Sequence, residues 1–249
     1  MAYKVFDRGV QALDCTFHKE ILSRTGRSTR CLQGRGLTAV MKDKFFPNYS
    51  YRHASGGPVV DNTGKPGAAK KKGRDGGLAR GRQVDTEIQH WVTAGGGARK
   101  KSSKRTVVPA LHPFSRAFIA LTQRLRLTPV ATQVVVRDEN CNLATLVDVV
   151  FLNTDGRIVV VELKTGFEGY NHVSSGQMRA EFAHHTNAPA NQHKVQLAFT
   201  HAMFEKTFPE FGSADGLLIR MSTEGAHVRS LTERDKLAAR RAMRQGSSF

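Results

Sequence analysis

The sequence predicts an α/β protein: a central mixed β-sheet, made of a three-stranded meander plus further strands and flanked by helices. Three observations predict it. Leu143–Lys164, which reads LATLVDVVFLNTDGRIVVVELK, is two apolar strand-like runs around a tight turn. Segments on both sides of it repeat apolar residues at helical spacing. Short apolar runs close the chain before a last, basic helical stretch. The order helix, meander, helix, strands is that of a sheet packed between helical layers.

Taken in order, Met1–Arg52 is mixed and basic, with a helix predicted around Val10–Ser23 from Val10, Leu13, Phe17 and Leu22. Ser55–Gly81 is rich in Gly, Lys and Arg and reads as a flexible arm. Residues 1–80 are thus expected to form a basic, partly flexible extension. Gln83–Thr93 is a predicted helix with Val84, Ile88 and Trp91 or Val92 on one stripe. Pro113–Arg126 is another, carried by Phe114, Phe118, Leu121 and Leu125. Ala131–Val136 is the first strand of the meander. Gln192–Lys206 is a helix with Val195, Phe199, Ala202 and Met203 on its apolar side. Gly216–Met221 and His227–Leu231 are closing strands. Thr232–Gln245 is a basic helix opened by Thr232 as N-cap. The folded domain is expected over 81–231, with 232–249 as a basic helix or tail.

The hairpin carries the chemistry. Asn153-Thr154-Asp155-Gly156 fits a type I turn with Gly156 in the left-handed position, a three-residue loop with a G1 bulge. That loop sets Asn153 opposite Arg157, and counting back five residues on each strand sets Asp148 opposite Glu162. Opposed side chains share a face, with Cβ atoms about 4.5–5.5 Å apart. Lys164, two residues beyond Glu162, points the same way. A charge inside a buried strand costs several kcal/mol unless something pairs with it. Two facing carboxylates repel unless a cation or a proton lies between them. Mg²⁺, which takes one or two protein carboxylates and completes its shell with water and phosphate oxygens, suits such a pair. The alternative is an Asp–Lys or Glu–Lys ion pair that only stabilises the sheet.

Asp148, the hairpin, and Glu162-Leu163-Lys164 resemble the active-site signature of the PD-(D/E)XK nuclease superfamily. The wording VDVVFLNTDGRIVVVELKTG is most similar to its RecB-type exonuclease branch. The resemblance extends over Gly81 to Leu231. It implies a helical acid upstream, for which Glu87 in GRQVDTEIQHWV is the candidate. It also implies a downstream Gln helix, matched by Gln196-Leu197-Ala198-Phe199-Thr200, where Thr200 stands in place of the family's Tyr. It further implies Mg²⁺, with Mn²⁺ as substitute, held by Asp148, Glu162 and the carbonyl of Leu163, with Glu87 supporting a second ion. Lys164 would orient or deprotonate the attacking water, Gln196 would support the site, and Thr165 would touch phosphate. The activity implied is phosphodiester hydrolysis in DNA, exonuclease-like. A junction-resolvase-like endonuclease and a catalytically silent nucleic-acid-binding protein are the other readings; RNA stays open as a substrate.

Composition agrees with a polyanionic partner: the 249 residues carry a formal net charge of +17. Lys70, Lys71, Lys72 and Arg74 in one run, and Arg99, Lys100 and Lys101 in another, are read as phosphate contacts; solvated loops are the bland alternative. Gln192 and Gln196, one turn apart, can donate to phosphate or hold a carboxylate, or form a solvent-facing amide row. His172, His184, His185 and His193 are read as a surface loop, because the adjacent His184 and His185 are expected to point apart. No apolar run is long enough to span a bilayer, and no signal-peptide pattern opens the chain. Cys15, Cys31 and Cys141 show no zinc spacing and read as reduced thiols in an intracellular compartment, nucleus or cytoplasm.

Overall fold

The computed structural model describes residues 35–46, 71–94, 111–165, 170 and 176–245. The helix expected at Val10–Ser23, Lys70, the run Arg99–Lys101 and His172 lie outside the described residues. The chain order is β1 (Arg35–Gly36), α1 (Leu37–Lys44), α2 (Lys71–Thr93), α3 (Pro113–Arg124), β2 (Thr128–Asp138), β3 (Leu143–Leu152), β4 (Ile158–Thr165), α4 (Pro189–Thr207), β5 (Asp215–Ser222), β6 (Gly225–Ser230) and α5 (Glu233–Arg244). This is an α/β fold with a mixed sheet: β2–β3, β3–β4 and β5–β6 are antiparallel, while β1–β3 and β4–β5 are parallel.

Alternation along the strands separates two apolar layers. Val160 and Leu218 join α1, α4 and α5 in one cluster, which includes Met41, Phe199 and Ala239. Val159, Val161, Leu163 and Ile219 join α2 and α3 in the other, which includes Ile88 and Phe118.

The meander forms as expected, and its turn has the expected conformation. Gly156 has φ +74°, its N–H donates to the Asn153 carbonyl at 3.1 Å, and Asn153 N–H donates to the Arg157 carbonyl at 3.0 Å. The Asn153 side chain holds the loop by accepting from the N–H groups of Asp155 and Arg157, both at 2.9 Å. Pairing then runs from Leu152–Ile158 to Val149–Val161, the register in which Asp148 and Glu162 come next.

Three boundaries differ from the sequence expectation. Leu37–Phe46 belongs to the core, not to a loose extension: Leu37, Val40, Met41, Phe45 and Phe46 are buried, and Phe45 packs on Phe182 and Phe199 at ring distances of 5.3 and 5.5 Å. Helix α2 begins at Lys71, so Lys71, Lys72 and Arg74 lie on helix instead of a flexible arm. The Arg80 guanidinium over the Phe114 ring, 5.5 Å from its centroid, ties this early part of α2 to α3. Helix α5 forms where a basic helix was expected, but it is part of the folded core, since Ala238, Ala239, Ala242 and Met243 fill the α4 side of it. Its start has a full capping box between Thr232 and Asp235.

Candidate active site

The site sits where the sheet forks. β2 occupies one edge of β3 along its length. The other edge is shared: β4 pairs with Val149–Leu152, and β1 with Leu143–Ala144. Between those two pairings β4 leaves β3, and Asp148 stands at the point of departure. There Asp148 Oδ2 accepts the backbone N–H of Leu163 at 2.7 Å, a group that no longer has a β3 carbonyl opposite it.

Glu162 is the deepest of this site's charged groups, at 1% exposure. One carboxylate oxygen, Oε1, takes two donors: the ammonium of Lys164 and, at 2.7 Å, the side-chain amide of Gln196 on α4. The other, Oε2, is buried with no hydrogen-bond partner. Burial pushes the Glu162 carboxyl up to about 7, with the charge of Asp148 adding to the rise and Lys164 opposing it. Asp148 is also raised, by burial, against the pull of Lys164 and the Leu163 N–H. Lys164 is buried too, which by itself lowers an amine, yet Glu162 and Asp148 outweigh this and raise it. The three residues placed on one face by the turn form a single electrostatic unit.

The unpartnered Glu162 oxygen fits a hard divalent cation. The donors present are carboxylate oxygens, and such an ion relieves both the orphaned acceptor and the repulsion between the two acids.

The helical acid whose charge bears on this unit is Asp85. Its side chain reaches solvent but is crowded by protein; this partial burial raises its carboxyl, with Asp148 adding to the rise and Lys164 opposing it. Asp85 in turn helps raise Glu162. Glu87, the acid chosen from sequence, is turned elsewhere. Its carboxylate accepts the His112 backbone N–H at 2.8 Å and the Gln83 amide at 2.9 Å, which fastens α2 to the start of α3. Residues two apart on a helix point about 200° away from each other, so 85 and 87 do not serve the same place. The signal in the sequence is Gly81, four residues before Asp85 and on its face. A side chain added at Gly81 would meet Thr165 Oγ1 at 3.6 Å, so this face of α2 lies close to the end of β4.

Gln192 is occupied by a protein partner: its amide donates to Asn187 Oδ1 at 2.9 Å, within the approach to α4. His184, His185 and His193 are packed against protein partners. His193 lies stacked beside Tyr170, with Nδ1 3.0 Å from the Tyr170 hydroxyl. Burial, then Lys164, hold the His193 ring down to about 3. His184 and His185 do not point apart: both Nε2 atoms approach Asp235 Oδ1, at 3.4 and 2.6 Å. These three could in principle hold a metal. The Lys194 ammonium already sits 2.7 Å from Asp235 Oδ2 and supplies the positive charge, so the cluster acts as a tie between α4, α5 and the His184–His185 segment.

Cys141 is a free, buried thiol whose S–H meets the Met243 carbonyl at 3.0 Å. Among the described residues no helix is long and apolar enough to cross a membrane. No protein-family model matches the chain, and no curated protein matches its sequence.

Proposed function

We propose that this protein is a divalent-cation-dependent nuclease that hydrolyses phosphodiester bonds in DNA, in an exonuclease-like manner, with Mg²⁺ as the cation and Mn²⁺ as a substitute. The observation that carries the reading is the state of Glu162: buried, held through one oxygen by Gln196 and Lys164, and open at the other beside Asp148. Buried carboxylate oxygens are nearly always paired; this one leaves a buried acceptor unpartnered in a cluster that already holds a second acid.

In this reading Asp148, Glu162 and the Leu163 carbonyl hold the cation, and Asp85 takes the helical position first given to Glu87. The cation supplies charge for the phosphoryl oxygens and lowers the pKa of water. Gln196 and Lys164 fix the orientation of Glu162. Lys164 acts as a charged ammonium, because its two acidic neighbours outweigh its burial. It steers the attacking water and stabilises the charge that grows on phosphorus-bound oxygen. The water oxygen bonds to phosphorus, the bridging P–O bond breaks, and the water's proton is lost as the leaving oxygen gains one. The formal charge of +17 supports a polyanionic substrate. The test is incubation of end-labelled linear, nicked, circular and branched DNA with and without Mg²⁺. Loss of linear DNA with closed circles intact is expected; cleavage confined to branched DNA would favour a structure-specific endonuclease, and no cleavage at all would overturn the proposal.

A further inference from the structure

Beside the candidate centre the sheet carries a second basic feature that catalysis as described does not use. β4 and β5 are parallel with Lys164 paired to Arg220, and β5 and β6 are antiparallel with Arg220 paired to His227 and Leu218 to Arg229. Paired residues on adjacent strands lie on the same face, about 5 Å apart. A band of nitrogen donors therefore runs from Lys164 outward to the edge strand β6. It borders a cavity of about 260 Å³ lined by Tyr170, Leu218, Arg220, His227 and Arg229 among others.

Within that cavity the Arg220 guanidinium lies over the Tyr170 ring, 4.7 Å from its centroid. An aromatic face holds the guanidinium plane still without using its N–H donors. Arg220 Nε is buried and has no hydrogen-bond partner. Tyr170 in turn is braced by His193, whose Nδ1 lies 3.0 Å from its hydroxyl. Among the described residues the one acid at this cavity is Glu224, which is 81% exposed and lies 3.9 Å from His227. A fixed guanidinium with unspent donors, in line with Lys164, suits a phosphate.

We infer that the Arg220–Arg229 cavity binds a second phosphate of the nucleic-acid strand whose scissile phosphate lies at Glu162 and Lys164. This rests on the proposed nuclease reading for its substrate, and it makes Arg220 a positioning residue for the strand. The phosphate is either the next one along the backbone or a terminal one at a strand end; the chemistry of recognition is the same.

The experiment measures binding of a single-stranded deoxyoligonucleotide labelled on an internal base by fluorescence anisotropy in Ca²⁺ over a range of salt, for the wild type, Arg220→Gln, Arg220→Lys and Arg229→Gln. Arg229 is exposed on the edge strand β6, so its replacement tests the cavity from its rim. We expect the Kd to rise about 10-fold or more for Arg220→Gln and less for Arg220→Lys. The slope of log K against log salt should flatten by about 0.7 per lost contact for both Gln variants. Loss that is equal for 5′-phosphorylated, 5′-hydroxyl and circular strands identifies an internal phosphate; loss confined to the phosphorylated strand identifies a terminal one. Wild-type affinity and slope in Arg220→Gln and Arg229→Gln would overturn the inference, as would a lower melting temperature with an unchanged slope. So would failure of the wild type to bind. Parallel incubations in Mg²⁺ separate the two readings: binding that depends on Arg220 without any cleavage refutes the nuclease and keeps the cavity, whereas cleavage with Arg220-independent binding does the reverse.

Discussion

Gln196 Nε2 donates to Glu162 Oε1 at 2.7 Å, reaching from helix α4 to the sheet. The bond fixes which oxygen of Glu162 is spent and which is left open, since Oε2 has no partner. A residue 34 positions away along the chain thereby orients the carboxylate on which the proposed cation site depends.

Replacing Gln196 with Leu should therefore weaken the site without removing any ligand. We expect the Mg²⁺ concentration for half-maximal cleavage to rise about 10-fold, as befits one hydrogen bond to a charged group. Gln196→Glu should be worse, because a third acid faces Glu162. A Mg²⁺ titration of cleavage rate checks both; unchanged Mg²⁺ dependence in Gln196→Leu would show that the amide only packs.

Stability should depend on pH through Glu162. Burial, aided by Asp148, raises its carboxyl from 4.5 to about 7, so the folded protein holds this proton more tightly than the unfolded chain does. The contribution is full below the unfolded value and is lost as pH rises through about 7. In EDTA, the melting temperature should be lower at about pH 8 than at about pH 5.5. Mg²⁺ should raise it at the higher pH and do little at the lower, where the acids hold protons instead of the ion. Differential scanning calorimetry in both buffers checks this, and Glu162→Gln should flatten the dependence.

Asp85 and Glu87 should separate activity from stability. Asp85→Asn removes a charge that bears on Glu162, and should lower kcat/KM about 10-fold with little change in melting temperature. Glu87→Leu strands the His112 N–H and should cost about 1–3 kcal/mol in urea unfolding, with near-normal activity per folded molecule. The opposite pattern would restore Glu87 to the site.

The turn should matter at a distance. No atom lies within 4 Å of a Cβ added at Gly156, so only its φ of +74° resists substitution. Gly156→Val should lose most activity and Mg²⁺ affinity, because strain at the bulge invites a slip that separates Asp148 from Glu162. Gly156→Asn should stay close to wild type. Equal Mg²⁺ affinity in all three, measured by calorimetry, would mean that the turn does not set the register.

These elements differ in how legible they were. The Asn153–Gly156 turn, the Pro113 helix start and the Thr232 cap depend on a few adjacent residues, and local chemistry settles them. The α1 segment was not legible: its apolar residues sit in a basic stretch, and Phe45 packs on Phe182 and Phe199, which are far from it in sequence. Helix α5 is legible as a capped basic helix but not as part of the core, because its buried face is largely alanine, which adds little hydropathy yet packs closely on α4. Asp85 looks like any exposed helix acid until Gly81 is seen to bring α2 against Thr165. His184 and His185 were misjudged for a similar reason: side-chain direction in a loop follows from its partner, here Asp235, not from sequence adjacency.

The central claim is that Asp148, Glu162 and Lys164 form one cation-dependent hydrolytic centre. The most direct measurement is the rate of release of nucleotides from end-labelled linear DNA by the wild type, Asp148→Asn, Glu162→Gln and Lys164→Met, in Mg²⁺, in Ca²⁺ and in EDTA. The account predicts release by the wild type in Mg²⁺ alone, a loss of about 1,000-fold or more in each variant, and retained DNA binding by all three in Ca²⁺. Release by the wild type in EDTA, or wild-type release by Glu162→Gln in Mg²⁺, would contradict it.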